Sequence, residues 1–316
     1  MNKSKLSKNR NIFDYFFILR PLILIPVLDF FLIGNYIASG KSVFTHKTLL
    51  GIFIYGLLMG GVYILNQITD IETDRLNKKL FILSENFIPL KNAYIEMFLL
   101  WAIALFFSWS FGLPFFIIML GSLLLGLFYS LPPIKLKGKP FFDTLSNGFG
   151  YGMLNFIAGW LMQKDFESRV FIIFLPYFLS ICAVFVNTTI VDIEGDKGSG
   201  EITTSVFLGE KFSYMVSSAL ILSGVLFSII NRDIICLIPS ALASPLFLYL
   251  TFYYLKYKKV NRKITILSFR MPGLIFTIIT CILYPGFIPF LIFLILGMKI
   301  YYKKRFNMDY PTLNQG

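Results

Sequence analysis

Two short runs of acidic side chains interrupt a largely apolar sequence and could do chemistry there. In the first run, Asn66, Asp70 and Asp74 recur at every fourth residue, and on a helix each such step turns the side chain by only about 40°. In the second run, Asp192-Ile-Glu-Gly-Asp196, two carboxylates have the same spacing. Mg²⁺ prefers such oxygen ligands, one or two carboxylates together with water and substrate phosphate oxygens. The spacing predicts polar helix faces that could hold two metal ions between them.

The simplest alternative for either run is a solvated helix end whose carboxylates face the cytoplasm. Two such runs at membrane level weaken that alternative, because a carboxylate near hydrocarbon is costly without a partner. A diphosphate that bridges two Mg²⁺ ions would neutralise the four aspartates. An isoprenoid tail on that diphosphate would also explain why the site lies in a membrane, since the tail can lie between helices while the charged head stays hydrated.

Two further motifs carry groups that suit a diphosphate. Tyr129 and Lys135 flank a pair of prolines at 132–133, which should end a helix. Lys135 could reach a leaving diphosphate as a compact positive charge, and Tyr129 could donate a hydrogen bond; a plain helix end followed by loop lysines is the alternative. Arg20, which precedes Pro21, is either a phosphate contact or an interfacial arginine that extends towards the headgroups.

The elements that must position these residues are membrane-spanning helices. Hydrophobic residues make up 56% of the chain and charged residues 15%, and the mean hydropathy is +0.73, which excludes an ordinary water-soluble domain. Crossing a bilayer takes about 20 helical residues, and ten apolar stretches are long enough. They are 15–38, 48–67, 92–111, 113–131, 142–162, 170–190, 212–230, 234–255, 264–283 and 285–302. Continuous apolarity favours helices over a β-barrel, whose strands alternate.

The distribution of charge orients these helices. With the amino terminus in the cytoplasm, the opposite loops hold only five basic residues, Lys41, Lys47, Lys164, Arg169 and Arg232, as the positive-inside rule requires. Four crossings separate the two acidic runs, so both emerge on the cytoplasmic face. The net charge of +12 is then explained by cytoplasmic loops, and no nucleic-acid motif accompanies it.

Other chemistries find little support in the sequence. The chain has one histidine, His46, and three cysteines without CxxC spacing, which removes histidine-ligated metals and disfavours zinc or disulfide chemistry. No linker divides the chain. We expect a basic cytoplasmic amino terminus at 1–14, a single transmembrane domain at 15–302 that begins with a retained helix, and a short cytoplasmic tail at 303–316.

Taken together, the motifs resemble those of the UbiA superfamily of intramembrane prenyltransferases, from Arg20 to about Leu208. The runs at 66–74 and 192–196 are similar to the family's two aspartate motifs, the second in the form of the geranylgeranylglyceryl phosphate, chlorophyll and homogentisate branches. Residues 129–135 resemble its tyrosine–lysine element, and Thr203–Gly209 its usual continuation.

The resemblance implies an all-α integral membrane protein, a bundle of nine or ten transmembrane helices around a central cavity that opens to lipid. Loops at 66–91 and 192–211 would cap it. The family usually has nine spans, but ten are favoured here, because Tyr284-Pro285-Gly286 predicts a turn and the basic run after the last span is cytoplasmic. The family often has two arginines after its first motif; here Lys79 and Leu83 stand at those positions, so one phosphate contact is missing.

These features predict Mg²⁺-dependent transfer of a prenyl group from a prenyl diphosphate to a lipophilic acceptor, an aromatic ring or a hydroxyl, among membrane lipids. The active site would face the cytoplasm, at the inner membrane if the source is prokaryotic. Two Mg²⁺ ions would be held by Asp70, Asp74, Asp192, Asp196 and Asn66. The expected catalytic residues are these four aspartates with Lys135 and Tyr129, and the expected substrate contacts are Asn66, Arg20, Ser130, Lys79 and Lys197.

The alternative function is an ion-coupled membrane transporter with an aspartate cation site. It predicts acidic residues near the bilayer midplane and on both faces. In this sequence the acidic residues cluster on one face, and no acidic pair lies in the middle of a span. The sequence therefore favours the enzyme.

Overall fold

The computed structural model describes residues 11–42, 44–76 and 81–310. Within these ranges the chain is helical and has no β-strand, so the predicted all-α class is confirmed. In chain order the helices are α1 Ile12–Phe17, α2 Pro21–Ser39, α3 His46–Thr69, α4 Ile71–Leu76, α5 Phe81–Ser84, α6 Leu90–Ser108, α7 Leu113–Ser130, α8 Phe142–Asn147, α9 Phe156–Trp160, α10 Val170–Ile173, α11 Leu175–Gly198, α12 Thr204–Ile230, α13 Ile234–Tyr257, α14 Arg262–Leu283 and α15 Phe287–Phe306.

Eight helical segments in the described part of the chain are long and apolar enough to cross a membrane, which makes the protein a multi-pass integral membrane protein. They correspond to eight of the ten predicted spans. The other two predicted spans are also helical. Residues 142–162 contain α8 and α9, joined by a π-helical segment Gly148–Asn155, and 285–302 fall within α15, which has basic residues in its last turn. The total of ten stays a prediction.

The first predicted span, 15–38, is broken where the sequence places a proline. Helix α1 ends at Phe17, α2 begins at Pro21, and Arg20 between them has a left-handed backbone with φ 53° and ψ 60°. The ring of a proline clashes with a helical residue before it, whereas proline itself suits the first turn of a helix. The expectation of one continuous helix is therefore wrong here.

Helix α11 extends well beyond the apolar stretch that predicts it. The apolar stretch ends near residue 190, but the helix continues to Gly198 and carries both Asp192 and Asp196. It ends just before Gly200, whose φ is +75°, a value that suits glycine at a helix terminus. An apolar stretch indicates which part of a helix contacts hydrocarbon, and it does not indicate where the helix ends.

Helices α2 and α9 pack with their backbones in contact. A Cβ atom on Gly34 would overlap the carbonyl oxygen of Phe156, and a Cβ atom on Gly159 would overlap that of Phe31. Asn35 reinforces the pair by donating from Nδ2 to the Gly159 carbonyl oxygen over 3.4 Å. Small residues at helix interfaces permit such close approach in membranes, where packing and polar contacts hold helices together.

Candidate active site

A cavity of about 280 Å³ lies between α2, α3, α7, α11 and the helical segment from α8 to α9. Arg20, Asn66 and Tyr129 line one end, and Tyr55 and Asn155 line the other. On α3 the distance from Tyr55 to Asn66 corresponds to about 16 Å at 1.5 Å per residue. The wall between the two ends is mostly apolar and includes Ile23, Met59, Val62, Leu125, Leu154 and Phe185.

Four of the predicted site residues meet at one end of this cavity. Arg20 donates from Nη1 to Asn66 Oδ1 over 3.4 Å, so the left-handed turn before α2 directs the arginine to α3. The Tyr129 hydroxyl accepts from Asn147 Nδ2 over 3.3 Å. Ser130 is 1% exposed, and its hydroxyl has no partner among the described residues. We call this end, defined by Arg20, Asn66, Tyr129 and Ser130, the head end.

The opposite end of the cavity is also polar, although no pattern in the sequence predicts it. The Tyr55 hydroxyl donates to Asn155 Oδ1 over 2.8 Å and lies 2.9 Å from Ser122 Oγ. Asn155 Nδ2 is buried without a partner in the described part of the chain. Between the two ends, the hydroxyls of Tyr63 and Tyr151 are 2.8 Å apart. Single polar residues inside apolar spans carry no spacing signal, so these groups were missed.

The first acidic run lies across a break between two helices. Helix α3 ends at Thr69, and Asp70 follows it with φ −107° and ψ 8°. The backbone N–H of Asp74 donates to the Asp70 carbonyl oxygen over 2.7 Å, and the Asp74 side chain is buried. Asn66 lines the cavity, whereas the two aspartates are not among its lining residues. The predicted polar helix face of the first run is therefore divided between two helices at Asp70.

The loop after α7 places two lysines against two different acidic partners. Lys137 Nζ contacts Asp70 Oδ1, and the Lys137 side chain is only 10% exposed. Lys135 has a left-handed backbone with φ 38° and pairs with Glu201 over 2.8 Å. Sequence reasoning chose Lys135 and missed Lys137 and Glu201, since spacing in a loop does not indicate direction.

The second acidic run lies on the unbroken end of α11. Asp192 and Lys197 are exposed, and Asp196 accepts a hydrogen bond at Oδ2 from the Thr203 hydroxyl over 2.8 Å. The segment after α11 is tied to the loop after α7, because the Ile202 N–H donates to the Gly138 carbonyl oxygen over 3.2 Å. That loop therefore contacts Asp70 of the first acidic run through Lys137, and it contacts the segment just after the second run through Lys135 and its backbone.

A buried carboxylate that sequence reasoning did not select holds these segments together. Asp143, at the start of α8, is 3% exposed. Its carboxylate accepts from the Thr144 N–H over 2.7 Å, from the Thr204 N–H over 2.9 Å and from the Thr204 hydroxyl. Because removing a partner from a buried carboxylate is costly, this contact fixes the start of α12 against α8.

The acidic runs offer oxygen ligands without forming a closed metal site. In the part of the chain that the structure describes, no three histidine, cysteine or acidic side chains converge on one point. A metal ion at either run would need ligands from outside the protein, which is the way Mg²⁺ binds together with substrate phosphates. Lys79, a predicted phosphate contact, lies outside the described residues.

Comparison with known proteins identifies relatives along most of the chain. A model described as the UbiA prenyltransferase family matches residues 27–272. The chain is 27% identical over 215 residues to 2-acyl-4-prenylphloroglucinol 6-prenyltransferase of Humulus lupulus, covering 64% of this chain and 53% of that protein. It is 29% identical over 189 residues to digeranylgeranylglyceryl phosphate synthase of Sulfolobus acidocaldarius, covering 59% and 66%. The matches thus span about half and about two thirds of these relatives.

Solved structures share the fold over nearly their whole length. A structure described for digeranylgeranylglyceryl phosphate synthase in membranes matches with a TM-score of 0.67 at 25% identity, covering 85% of this chain and 96% of that chain. A UbiA homologue from Archaeoglobus fulgidus, bound to GPP and Mg²⁺, matches with a TM-score of 0.66 at 22% identity, covering 84% and 99%.

Proposed function

Because the chain belongs to the UbiA prenyltransferase family, we propose that it transfers a prenyl group from a prenyl diphosphate to a lipophilic acceptor in the membrane, in a reaction that depends on Mg²⁺. The cavity carries the proposal, since its head end holds Arg20, Asn66 and Tyr129 while its wall is mostly apolar. A substrate with a charged head and an isoprenoid tail matches both parts. The GPP and Mg²⁺ bound by the A. fulgidus homologue support the same substrate class.

The two acidic runs are the proposed metal ligands. Their donors are carboxylate and amide oxygens, from Asp70, Asp74 and Asn66 in one run and Asp192 and Asp196 in the other, and this hard-oxygen set fits Mg²⁺. Bound there with the diphosphate, Mg²⁺ would neutralise the charge that develops on the leaving group. The exposure of Asp192 leaves it accessible to ions from water.

Positive and neutral donors would hold the diphosphate at the head end. Arg20 can offer a planar set of N–H groups to phosphate oxygens, and the Ser130 hydroxyl, buried without a partner among the described residues, is a second donor. Lys137 joins Lys135 as a candidate contact, because its ammonium group already lies against Asp70. Such preorganised donors stabilise the charge that develops on the leaving diphosphate in the transition state more than they stabilise the bound substrate.

The proposed reaction breaks one bond and forms one. The allylic C–O bond ionises, its electron pair leaves with the diphosphate, and the allylic cation is captured by a ring carbon or hydroxyl oxygen of the acceptor, which then loses a proton. The apolar wall keeps water away from the cation, which would otherwise be hydrolysed. The cavity and its acidic runs are proposed to open towards the cytoplasm.

The transporter alternative finds little support in the described residues. It requires an acidic pair in the middle of the membrane. Asp29 of α2 is a buried carboxylate in a span, but it accepts a hydrogen bond from the Thr277 hydroxyl over 2.6 Å and does not line the cavity. A lone carboxylate bonded to threonine fits a contact between helices.

The test is a transfer assay with purified protein. Geranyl, farnesyl and geranylgeranyl diphosphates with a radioactive label are supplied with Mg²⁺ and a panel of aromatic and glycerol-based acceptors, and prenylated product is measured with and without EDTA. We expect product that needs Mg²⁺ and that is lost in Asp70→Asn.

A matched control substitutes an acid of the same region. Glu72 is exposed on α4, so Glu72→Gln removes a charge close to Asp70 without removing a proposed ligand and should retain transfer. Undiminished transfer by Asp70→Asn, or full transfer in EDTA, would contradict the metal assignment. Absence of product with every donor and acceptor pair would contradict the proposed function.

A further inference from the structure

A cluster of three buried polar side chains joins α1 to α15. Asp14 of α1 is 1% exposed, and the side chain of Arg305 of α15 is 9% exposed. The Asp14 carboxylate accepts from the Tyr301 hydroxyl over 2.5 Å, from Arg305 Nε over 3.1 Å and from Arg305 Nη2 over 2.8 Å. We call Asp14, Tyr301 and Arg305 the terminal clasp.

Stability alone does not explain why an ion pair is buried. Two charges lose their hydration on burial, and their attraction offsets that loss only when the geometry is good. The two-point contact between arginine and carboxylate supplies that geometry. Because apolar side chains of the same volume often stabilise as well, the ion pair is expected to determine the position of other parts of the molecule.

The first such part is the turn that carries Arg20. Phe17, at the end of α1, stacks on Tyr301 with ring centroids 3.9 Å apart, so α15 contacts the residue three positions before Arg20. The next residue, Ile18, is bonded to α3, because Gln67 Nε2 donates to the Ile18 carbonyl oxygen over 2.6 Å. The turn is thus held between α15 and the residue that follows Asn66.

The second part is the segment after the first acidic run. The Arg305 guanidinium lies over the Phe87 ring at 4.6 Å from its centroid, and Phe87 also contacts Phe306 edge to face at 5.1 Å. That segment is joined to α4 by Arg75, whose Nε donates to the Ser84 carbonyl oxygen over 3.0 Å. The end of α15 therefore contacts both the Arg20 turn and the segment next to the helix of Asp74.

The end of α15 and the residues just after it also lie near Arg20. Tyr302 and Tyr310 pack with ring centroids 4.6 Å apart, and both lie within electrostatic range of the Arg20 charge. Helix α15 begins at Phe287, beyond residue 272 where the match to the family model ends. A helix outside the matched region is thus part of the surroundings of the head end.

We propose that the terminal clasp positions Arg20 for contact with the diphosphate. The inference rests on the proposed function, since it assigns Arg20 to the substrate. Asp14, Tyr301 and Arg305 are positioning residues, which act through the α1–α2 turn and do not touch the substrate. Loosening the clasp lets the left-handed turn relax, because a non-glycine residue at φ 53° is held there by its surroundings.

The experiment measures steady-state constants of Arg305→Leu, Asp14→Asn and Tyr301→Phe with a prenyl diphosphate that the wild type uses. In Arg305→Leu we expect the KM for the prenyl diphosphate to rise about tenfold while the KM for the acceptor stays unchanged, as for a contact made to one substrate only. Tyr301→Phe, which keeps the ring stacked on Phe17, should give a smaller rise. Lys304→Leu, an exposed cation on the same helix, is the matched control and should behave as wild type.

A double-mutant cycle separates positioning from general damage. In an Arg20→Gln background, Arg305→Leu should add less than about twofold to the KM for the prenyl diphosphate, because residues that act through one another are not additive. Additive effects, or an equal rise in both KM values, would overturn the proposal. If Arg305→Leu does not fold, the same cycle is run with Tyr301→Phe.

The outcomes distinguish this inference from the function on which it rests. A wild type without any transferase activity contradicts the proposed function. An active wild type whose clasp variants keep the wild-type KM contradicts only the positioning role.

Discussion

The two acidic runs have the same four-residue spacing but lie in different local structures. The first run crosses a break, since α3 ends at Thr69 and Asp70 caps it, and Asp70 is in contact with the ammonium group of Lys137. The second run lies on one continuous helix, where Asp196 accepts from the hydroxyl of Thr203 and Asp192 is exposed. The first run has a cation as partner before any ligand binds, whereas the second has a neutral donor.

Because of this difference, we expect the two runs to bind a metal ion under different conditions. At the first run an incoming ion must compete with Lys137, and the displaced ammonium group is then available for the diphosphate. At the second run the partner among the described residues is the neutral Thr203 hydroxyl, which an ion can replace without displacing a charge. We therefore expect the second run to bind metal more readily without substrate, and the first run to bind it together with the substrate.

The largest expected effect comes from removing one carboxylate of either run. Asp70→Asn and Asp192→Asn should each lower kcat by at least about 100-fold, the range seen when a group that stabilises transition-state charge is lost. The measurement is single-turnover transfer of a labelled prenyl group. Glu194→Gln, an exposed acid between the two aspartates of the second run, is the control and should keep most of the activity. If kcat falls a hundredfold in the variant of one run only, the other run is not part of the site.

The next effect distinguishes the two lysines of the loop after α7. Lys137→Met should lower kcat by about 10-fold or more and, without substrate, should tighten the binding of Mn²⁺ as a probe, because a competing cation is removed from Asp70. Lys135→Met removes the partner of Glu201, and its effect on Mn²⁺ binding should be small. Mn²⁺ binding is measured by electron paramagnetic resonance. Unchanged Mn²⁺ affinity in Lys137→Met would contradict the expected difference between the two runs.

A smaller effect is expected where the partner is neutral. Thr203→Val removes the hydroxyl that donates to Asp196, and one hydrogen bond contributes about 1 kcal/mol. The Mg²⁺ concentration for half-maximal transfer should change by about fivefold, with kcat at saturating Mg²⁺ close to wild type. A loss of kcat that excess Mg²⁺ does not restore would show that Thr203 has a role in the chemical step.

The smallest effect is expected at Lys197, although it is adjacent to Asp196 in sequence. Its side chain is exposed, and exposed charges are screened by water and salt. Lys197→Ala should therefore change the KM for the prenyl diphosphate by less than about twofold in a steady-state assay. A large rise would mean that the second run has a cation of its own, as the first run does.

The features of the fold that follow from periodicity and hydropathy could be predicted from the sequence. Apolar stretches predict eight spans that the structure bears out, whereas the position of both acidic runs on the cytoplasmic face stays a prediction. Arg20, Asn66, Tyr129 and Ser130 line one cavity, and their roles there stay predictions. These inferences depend on periodicity and hydropathy, which are local properties of the sequence.

The parts that depend on backbone direction could not be predicted. Whether Lys135 or Lys137 contacts Asp70 is decided by the left-handed backbone of Lys135. The roles of Asp143 and Asn155 depend on partners that are distant in the sequence, Thr204 and Tyr55 respectively. A single polar residue in an apolar helix does not indicate which neighbour it will meet.

The backbone contact between α2 and α9 has a consequence for motion. Because Gly34 and Gly159 each face a carbonyl oxygen with no room for a single extra carbon, these helices cannot slide or rotate past one another without a clash. They form a rigid unit beside the cavity, whereas the loop after α7 is held by ion pairs of partly exposed side chains, such as Lys135 with Glu201. The local opening that admits a substrate is therefore expected in that loop, and hydrogen exchange should be fast there and slow along α2 and α9.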